Sequence, residues 1–200
     1  GERSLSLIEL GPSAALNLCW DRYDYGFDHW GHDSSLKITT EGEGKTAAKL
    51  EEPSKRSFSV RSGSECDRYE NEAERQWLQA LIWPEHSERR ERLPAAIEIV
   101  RKEKIYHQEG DGVELLPQLI SATPADSLPC VFHTHVANQM TAEQQKQLLD
   151  QVDEIGKQRD LCHIHNNMGP IFMTYYLDGS RHDVPLAKTD GHARWVEWLA

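Results

Sequence analysis

The sequence predicts a doubly wound α/β domain: a mostly parallel sheet covered on both faces, ending in antiparallel C-terminal strands and interrupted by one inserted hairpin. Three observations predict it. Leu5 to Leu10 is a short apolar run; a Gly-Pro-Ser-Ala-Ala turn and an apolar segment to Trp20 follow, which reads as strand, tight turn and buried helix. From Lys104 to His165 short extended runs alternate with helical periodicity through brief connections, as in parallel strands joined by crossover helices. Beyond them, Asp178-Gly179 and Asp190-Gly191 are hairpin signals. The 200 residues are read as a single domain.

In chain order, Asp21 to His32 is polar and aromatic and suits an excursion beside the first turn, and Ser35 to Thr40 alternates like an edge strand. Glu41 to Ser57 has no period and reads as a solvated loop, so the insert spans about residues 21–57. Phe58 to Arg61 is the second sheet strand. Asn71 with Glu74 resembles a capping box opening a helix whose Trp77, Leu78, Leu81 and Ile82 share a face before Pro84. A second helix runs from about Ser87, with Pro94 starting its second half or kinking it. Then come a strand at Lys104 to Gln108, a helix from Val113 to about Ala122, and a strand at Pro129 to His135. A capped helix follows, opened by Thr141 and Gln144 and striped by Leu148, Leu149, Val152 and Ile155. Leu161 to His165 is a strand, and Ile171 to Leu177 pairs through Asp178-Gly179 with Val184 to Ala187.

A formal net charge of −11 argues against nucleic acid or an anionic membrane as the main partner, because both need clustered cations. No run approaches the roughly 18 apolar residues of a membrane helix, and no basic-then-apolar leader opens the chain; a cytoplasmic location and a small-molecule substrate are expected. Cys19, Cys66, Cys130 and Cys162 are far apart, with no C-x-x-C pair, and read as reduced structural thiols.

The turn after the first strand is the candidate ligand site, since small residues there let a backbone approach a ligand. Gly11 stands alone, with Ser13 and Ala15 where further glycines would fall, so a ligand turn and a plain packing turn both fit. In nucleoside-binding α/β folds an acidic residue after the second strand takes the ribose hydroxyls; Glu65 holds that place, displaced by the insert. His133-Thr134-His135 and His163-Ile164-His165 end the fourth and fifth expected strands. Residues two apart share a strand face, so His133 and His163 would meet beside the turn, with His135 and His165 one pleat further out. Converging imidazoles allow a metal-dependent hydrolase, yet no carboxylate or thiolate stands beside either pair; a metal is not expected, and the rings should titrate near their ordinary value of about 6.5.

Glu9-Leu10-Gly11-Pro12-Ser13-Ala14-Ala15 resembles the first motif of class I S-adenosylmethionine-dependent methyltransferases. The run Glu9 to Tyr25, with Trp83-Pro84-Glu85 and Val131-Phe132-His133-Thr134, resembles the bacterial family called domain of unknown function 2332. Members carry a helical region before this strand, so the sequence is expected to be a fragment or a short form without it. The resemblance implies a Rossmann-like, class I methyltransferase-type fold binding S-adenosylmethionine through Glu9, Gly11, Ser13, Ala15, Asn17, Glu65 and Asp111, the last toward the adenine. It implies His133 and His135 as candidate catalytic residues and Arg22, Tyr23, Trp83, Asn138 and His163 on the substrate side. The Asp/Asn-Pro-Pro-Tyr run of amino-group methylating enzymes is missing, which argues against DNA-base methylation. The alternatives are the histidine-based hydrolase and a non-catalytic nucleotide-binding or interaction module.

Overall fold

The computed structural model describes residues 3–26, 33–39, 41–44, 56–63, 71–166 and 169–199. Among the described residues its frame is one mixed sheet of nine strands. Five strands form a parallel block: β1 (Leu5–Leu10), β3 (Arg56–Gly63), β4 (Tyr106–Glu109), β5 (Leu128–Thr134) and β6 (Leu161–Asn166), in the spatial order β4-β3-β1-β5-β6. Antiparallel β7 (Ile171–Leu177), β8 (Ser180–Thr189) and β9 (Trp195–Trp198) continue it, and β2 (Glu41–Gly44) pairs parallel to β9 at the far edge.

The α-helices are α1 (Glu72–Ala80), α2 (Ser87–Val100), α3 (Gly112–Ser121) and α4 (Ala142–Gly156). Asn71 caps α1 by accepting the Glu74 N–H, and Thr141 and Gln144 complete a capping box on α4. Apolar side chains of α3 and α4 meet Ile8, Leu10, Val60, Val131 and Leu161 on one sheet face. On the other face Leu7, Cys130 and Cys162 pack on Ala15 and Leu18, while α1 and α2 form a second cluster around Cys19 and Tyr23. Cys19, Cys130 and Cys162 are buried free thiols, and Cys66 lies outside the described residues.

The expected first helix is instead a 3₁₀ segment, Leu16–Arg22, bent at Cys19. Side chains hold carbonyls that an α-helix would need: the Tyr23 hydroxyl donates to Leu16 O (2.6 Å) and Arg56 Nη1 donates to Leu18 O (2.6 Å). The edge strand expected at Ser35 to Thr40 reduces to an isolated bridge between Asp24 and Lys37, with Thr40 outside the described residues. Part of the expected solvated loop is strand, since Glu41–Gly44 is β2; residues 45–55 lie outside the described set. Alternation could not reveal a strand made of Glu and Gly. α2 runs continuously from Ser87 through Pro94 to Val100, so Pro94 does not begin a separate helix.

Gly156 ends α4 where the Tyr176 ring lies across the helix, and a Cβ there would sit 2.2 Å from that ring. Tyr176 is pinned by donating its hydroxyl to Asp153 Oδ1 (2.8 Å). Gly156→Ala is therefore expected to lower stability by about 2 kcal/mol, overpacking outweighing the roughly 1 kcal/mol of helix propensity gained. An unchanged or raised urea midpoint would show that the ring yields freely.

Candidate functional site

The carboxyl ends of β1, β3, β4 and β5 surround a pocket of about 850 Å³ lined by the Gly11 turn, Ser62-Gly63, Glu109 to Val113 and Thr134 to Val136. Chain connections leave β1 toward β3 on one side and arrive at β5 on the other, so the pocket straddles the point where strand order reverses. The fold builds it from short residues: Gly11 (φ 65°) turns the chain, its N–H donating to Ser62 O (2.9 Å), and Gly112 opens α3 where an added Cβ would lie 3.3 Å from Leu10 Cδ2. Ser62 is fully buried, and its Oγ has no hydrogen-bond partner among the described residues.

Of the sequence candidates, Gly11, Ser13, Asp111 and His135 line this pocket. Glu65 lies outside the described residues. Gly11 makes room for Val136, whose Cγ2 would lie 2.4 Å from an added Cβ. Ala15 is buried, with φ 56°, at the entry to the 3₁₀ segment. Asp111 caps α3, its Oδ1 accepting the Val113 and Glu114 N–H groups, while Oδ2 accepts from Gln144 Nε2 at 3.4 Å. Arg22 pairs with Glu103 (2.9 Å), Tyr23 is buried, Trp83 stands 72% exposed between α1 and α2, and Asn138 is exposed in the 3₁₀ turn Val136–Gln139. None of these four lines the pocket. Sequence reasoning missed Ser62, Gly63, Thr134, Gln139 and Gln144; the small residues that close β3, like those after β1, were the available signal.

The histidines converge differently from the expected pairing. Register aligns His133 with His165 and sets His163 opposite Val131, one pleat deeper, so the cluster is His133, His163 and His165, with ring centroids 4.7–5.8 Å apart. His135 falls beyond β5 in a left-handed conformation (φ 61°), exposed, its N–H donating to Asn166 Oδ1 (3.1 Å). His133 and His163 are buried, and both ring nitrogens of each, with His165 Nδ1, lack hydrogen-bond partners among the described residues. These rings do not keep ordinary basicity. Burial, then the nearby His165, pushes His133 down to about 4; burial and then His133, His165 and Arg181 push His163 well below its usual value. Burial lowers His165 too, with Asp183 opposing. Among the described residues no three His, Cys, Asp or Glu side chains are arranged to hold a metal ion.

Glu9 sits at the end of β1 on the opposite sheet face, beside Arg61 and Phe132 in register. Asn17 Nδ2 donates to its Oε1 (2.8 Å), whereas Oε2 is buried with no hydrogen-bond partner among the described residues. Burial raises its carboxyl to about 7, against the lowering effects of Asn17 and Arg61.

No helix among the described residues is long and apolar enough to cross a membrane. No curated protein matches the chain. A family model does, over residues 1–198, described as an uncharacterized protein conserved in bacteria (DUF2332). With nearly its whole length matched, the chain belongs to that bacterial family of uncharacterised proteins.

Proposed function

We propose that this domain binds a nucleoside-bearing cofactor, S-adenosylmethionine, in the pocket over β1, β3, β4 and β5, and transfers its methyl group to a small acceptor. The observation that carries this reading is the pocket's position across the strand-order reversal, with the buried Ser62 Oγ, which has no hydrogen-bond partner among the described residues, in its wall. The parallel block is ordered third-second-first-fourth-fifth in its own chain sequence, the order shared by Rossmann-type nucleotide folds. The motif resemblance at Glu9 to Ala15 supplies the choice of cofactor.

The cofactor supplies an electrophilic methyl group. The chain supplies a close backbone approach at Gly11 and Gly63, a hydroxyl at Ser62, and polar side chains at Ser13, Thr134, Gln139 and Gln144 for orientation. His135, exposed and lining the pocket, is the side chain placed to accept a proton there; His133 is buried. Asp111 acts through the start of α3, because its carboxylate already accepts backbone N–H groups.

Thermal unfolding with S-adenosylmethionine, S-adenosylhomocysteine and ATP in parallel tests this. At 100 times its dissociation constant a ligand should stabilise the fold by about 2.7 kcal/mol. S-adenosylhomocysteine is expected to raise the midpoint. A shift with ATP and none with S-adenosylhomocysteine would replace the reading by non-catalytic nucleotide binding.

A further inference from the structure

Cys130 and Cys162 meet across β5 and β6. The parallel register sets the two residues directly opposite each other, on the sheet face that also carries Leu7 and Leu18. Neighbouring strands lie about 4.8 Å apart, inside the roughly 4.4–6.8 Å that the Cα atoms of a disulfide span. The two thiols hydrogen-bond to each other: Cys130 holds the Cys162 thiol below its ordinary value, while its own is held well above. Cys162 therefore ionises first, and the thiolate is the reactive form.

Both are free thiols, and the pair is not sealed. A groove of about 330 Å³ opens on this face, walled by Leu5, Leu7, Phe132 and Ile164, and Cys130 is part of the wall. Cys130 and Cys162 keep 7% and 8% of their surface. An apolar opening of this kind admits a small uncharged oxidant such as hydrogen peroxide. Cys19 has neither advantage: it is fully buried, its cluster holds no other cysteine, and burial pushes its thiol up to about 12. We infer that Cys130 and Cys162 form a peroxide-responsive modification site, oxidised reversibly to a disulfide that joins β5 to β6. The Cys162 thiolate attacks one peroxide oxygen as the O–O bond breaks, leaving a sulfenic acid on Cys162 and a hydroxide that takes up a proton to become water. Cys130 Sγ then attacks that sulfur: the S–S bond forms, the S–O bond breaks, and the departing hydroxide leaves with the Cys130 proton as a second water. The thiols give up two electrons and the peroxide takes them. Cβ atoms held at the strand spacing are about 1 Å further apart than the mean of about 3.8 Å in disulfides, so the bond is strained and readily reduced again. The site stands independently of the nucleoside reading, since neither cysteine lines the pocket at the strand ends.

Hydrogen peroxide applied to the intact native chain is the probe, with mass spectrometry and peptide mapping carried out without reduction. The chain is expected to lose two hydrogens in mass and to yield a peptide pair linked through Cys130 and Cys162. That link should form at least tenfold faster than Cys19 is oxidised in the same sample, and dithiothreitol should restore both thiols. Cys130→Ser and Cys162→Ser should each abolish the link. The wild-type peptide map keeps the test decisive if either variant does not fold. A link that joins Cys19 or Cys66 in place of this pair, or one that forms only in urea, would overturn the inference. So would Cys19 oxidised as fast as the pair, or a pair still reduced once peroxide has oxidised the methionines.

Discussion

Arg56→Ala is expected to destabilise the fold by about 3–5 kcal/mol, the usual cost of removing one partner of a buried ionic cluster. Arg56, at the first residue of β3, has a side chain only 6% exposed, and it ties three parts of the chain together. Nη1 donates to Leu18 O (2.6 Å) and to Ser59 Oγ (3.2 Å), Nη2 donates to Glu103 Oε2 (2.5 Å), and Nε lies 3.3 Å from Asp21 Oδ2. Without the guanidinium, Asp21 and Glu103 keep only the half-exposed Arg22 as a cation, at 3.8 and 2.9 Å, and the 3₁₀ segment loses the donor to its carbonyl. Urea unfolding would measure the loss. Adding Asp21→Asn and Glu103→Gln should return part of it by removing the stranded charges. A cost below about 1 kcal/mol would mean that the cluster behaves as an exposed surface pair.

Acid should destabilise the protein well above the range in which ordinary carboxylates titrate. Unfolded histidines take up protons near pH 6.5, whereas folded His133 holds out to about 4 and His163 is also pushed down. Between those limits the unfolded state binds more protons, so stability falls as pH falls through this window, by on the order of 3 kcal/mol for His133 alone. Glu9 acts in the opposite sense. Its folded value is raised from 4.5 to about 7, so the folded state binds the extra proton and stability falls as pH rises through that interval. Glu9 therefore offsets roughly one histidine, and His163 with His165 leaves the net slope toward acid instability. Asp153, Asp160 and Asp183 are lowered from 3.8 and add their losses only below that value. Unfolding free energy followed from pH 7 to 4.5 should decline in the wild type and decline more steeply in Glu9→Gln. A flat profile in both would show that the three rings are solvated rather than enclosed.

The strand-turn segment at Leu5 to Gly11, the β4–α3–β5–α4–β6 succession and the Asp178-Gly179 hairpin were legible because each rests on local chemistry: apolar runs, caps and turn residues. The Leu16 segment was misread because its helix is overridden by Tyr23 and by Arg56, 38 positions from Leu18. β2 escaped because its pairing with β9 joins the insert to the far end of the chain. Gly11, Ser13, Asp111 and His135, which line the pocket, were named from sequence, but the grouping of His133 with His163 and His165 depends on a register that a pair of His-x-His motifs does not specify. Ser62 carries no motif of its own. Its significance comes only from burial at the end of β3 with no hydrogen-bond partner among the described residues.

The central claim, nucleoside-cofactor binding over the strand ends, is tested most directly by following backbone amide signals during titration with S-adenosylhomocysteine. Saturable shifts concentrated at Gly11, Ser13, Ser62, Gly63, Gly112, Thr134 and His135 are the predicted result. A saturating titration that leaves those amides unmoved, or moves only residues elsewhere on the domain, would contradict it.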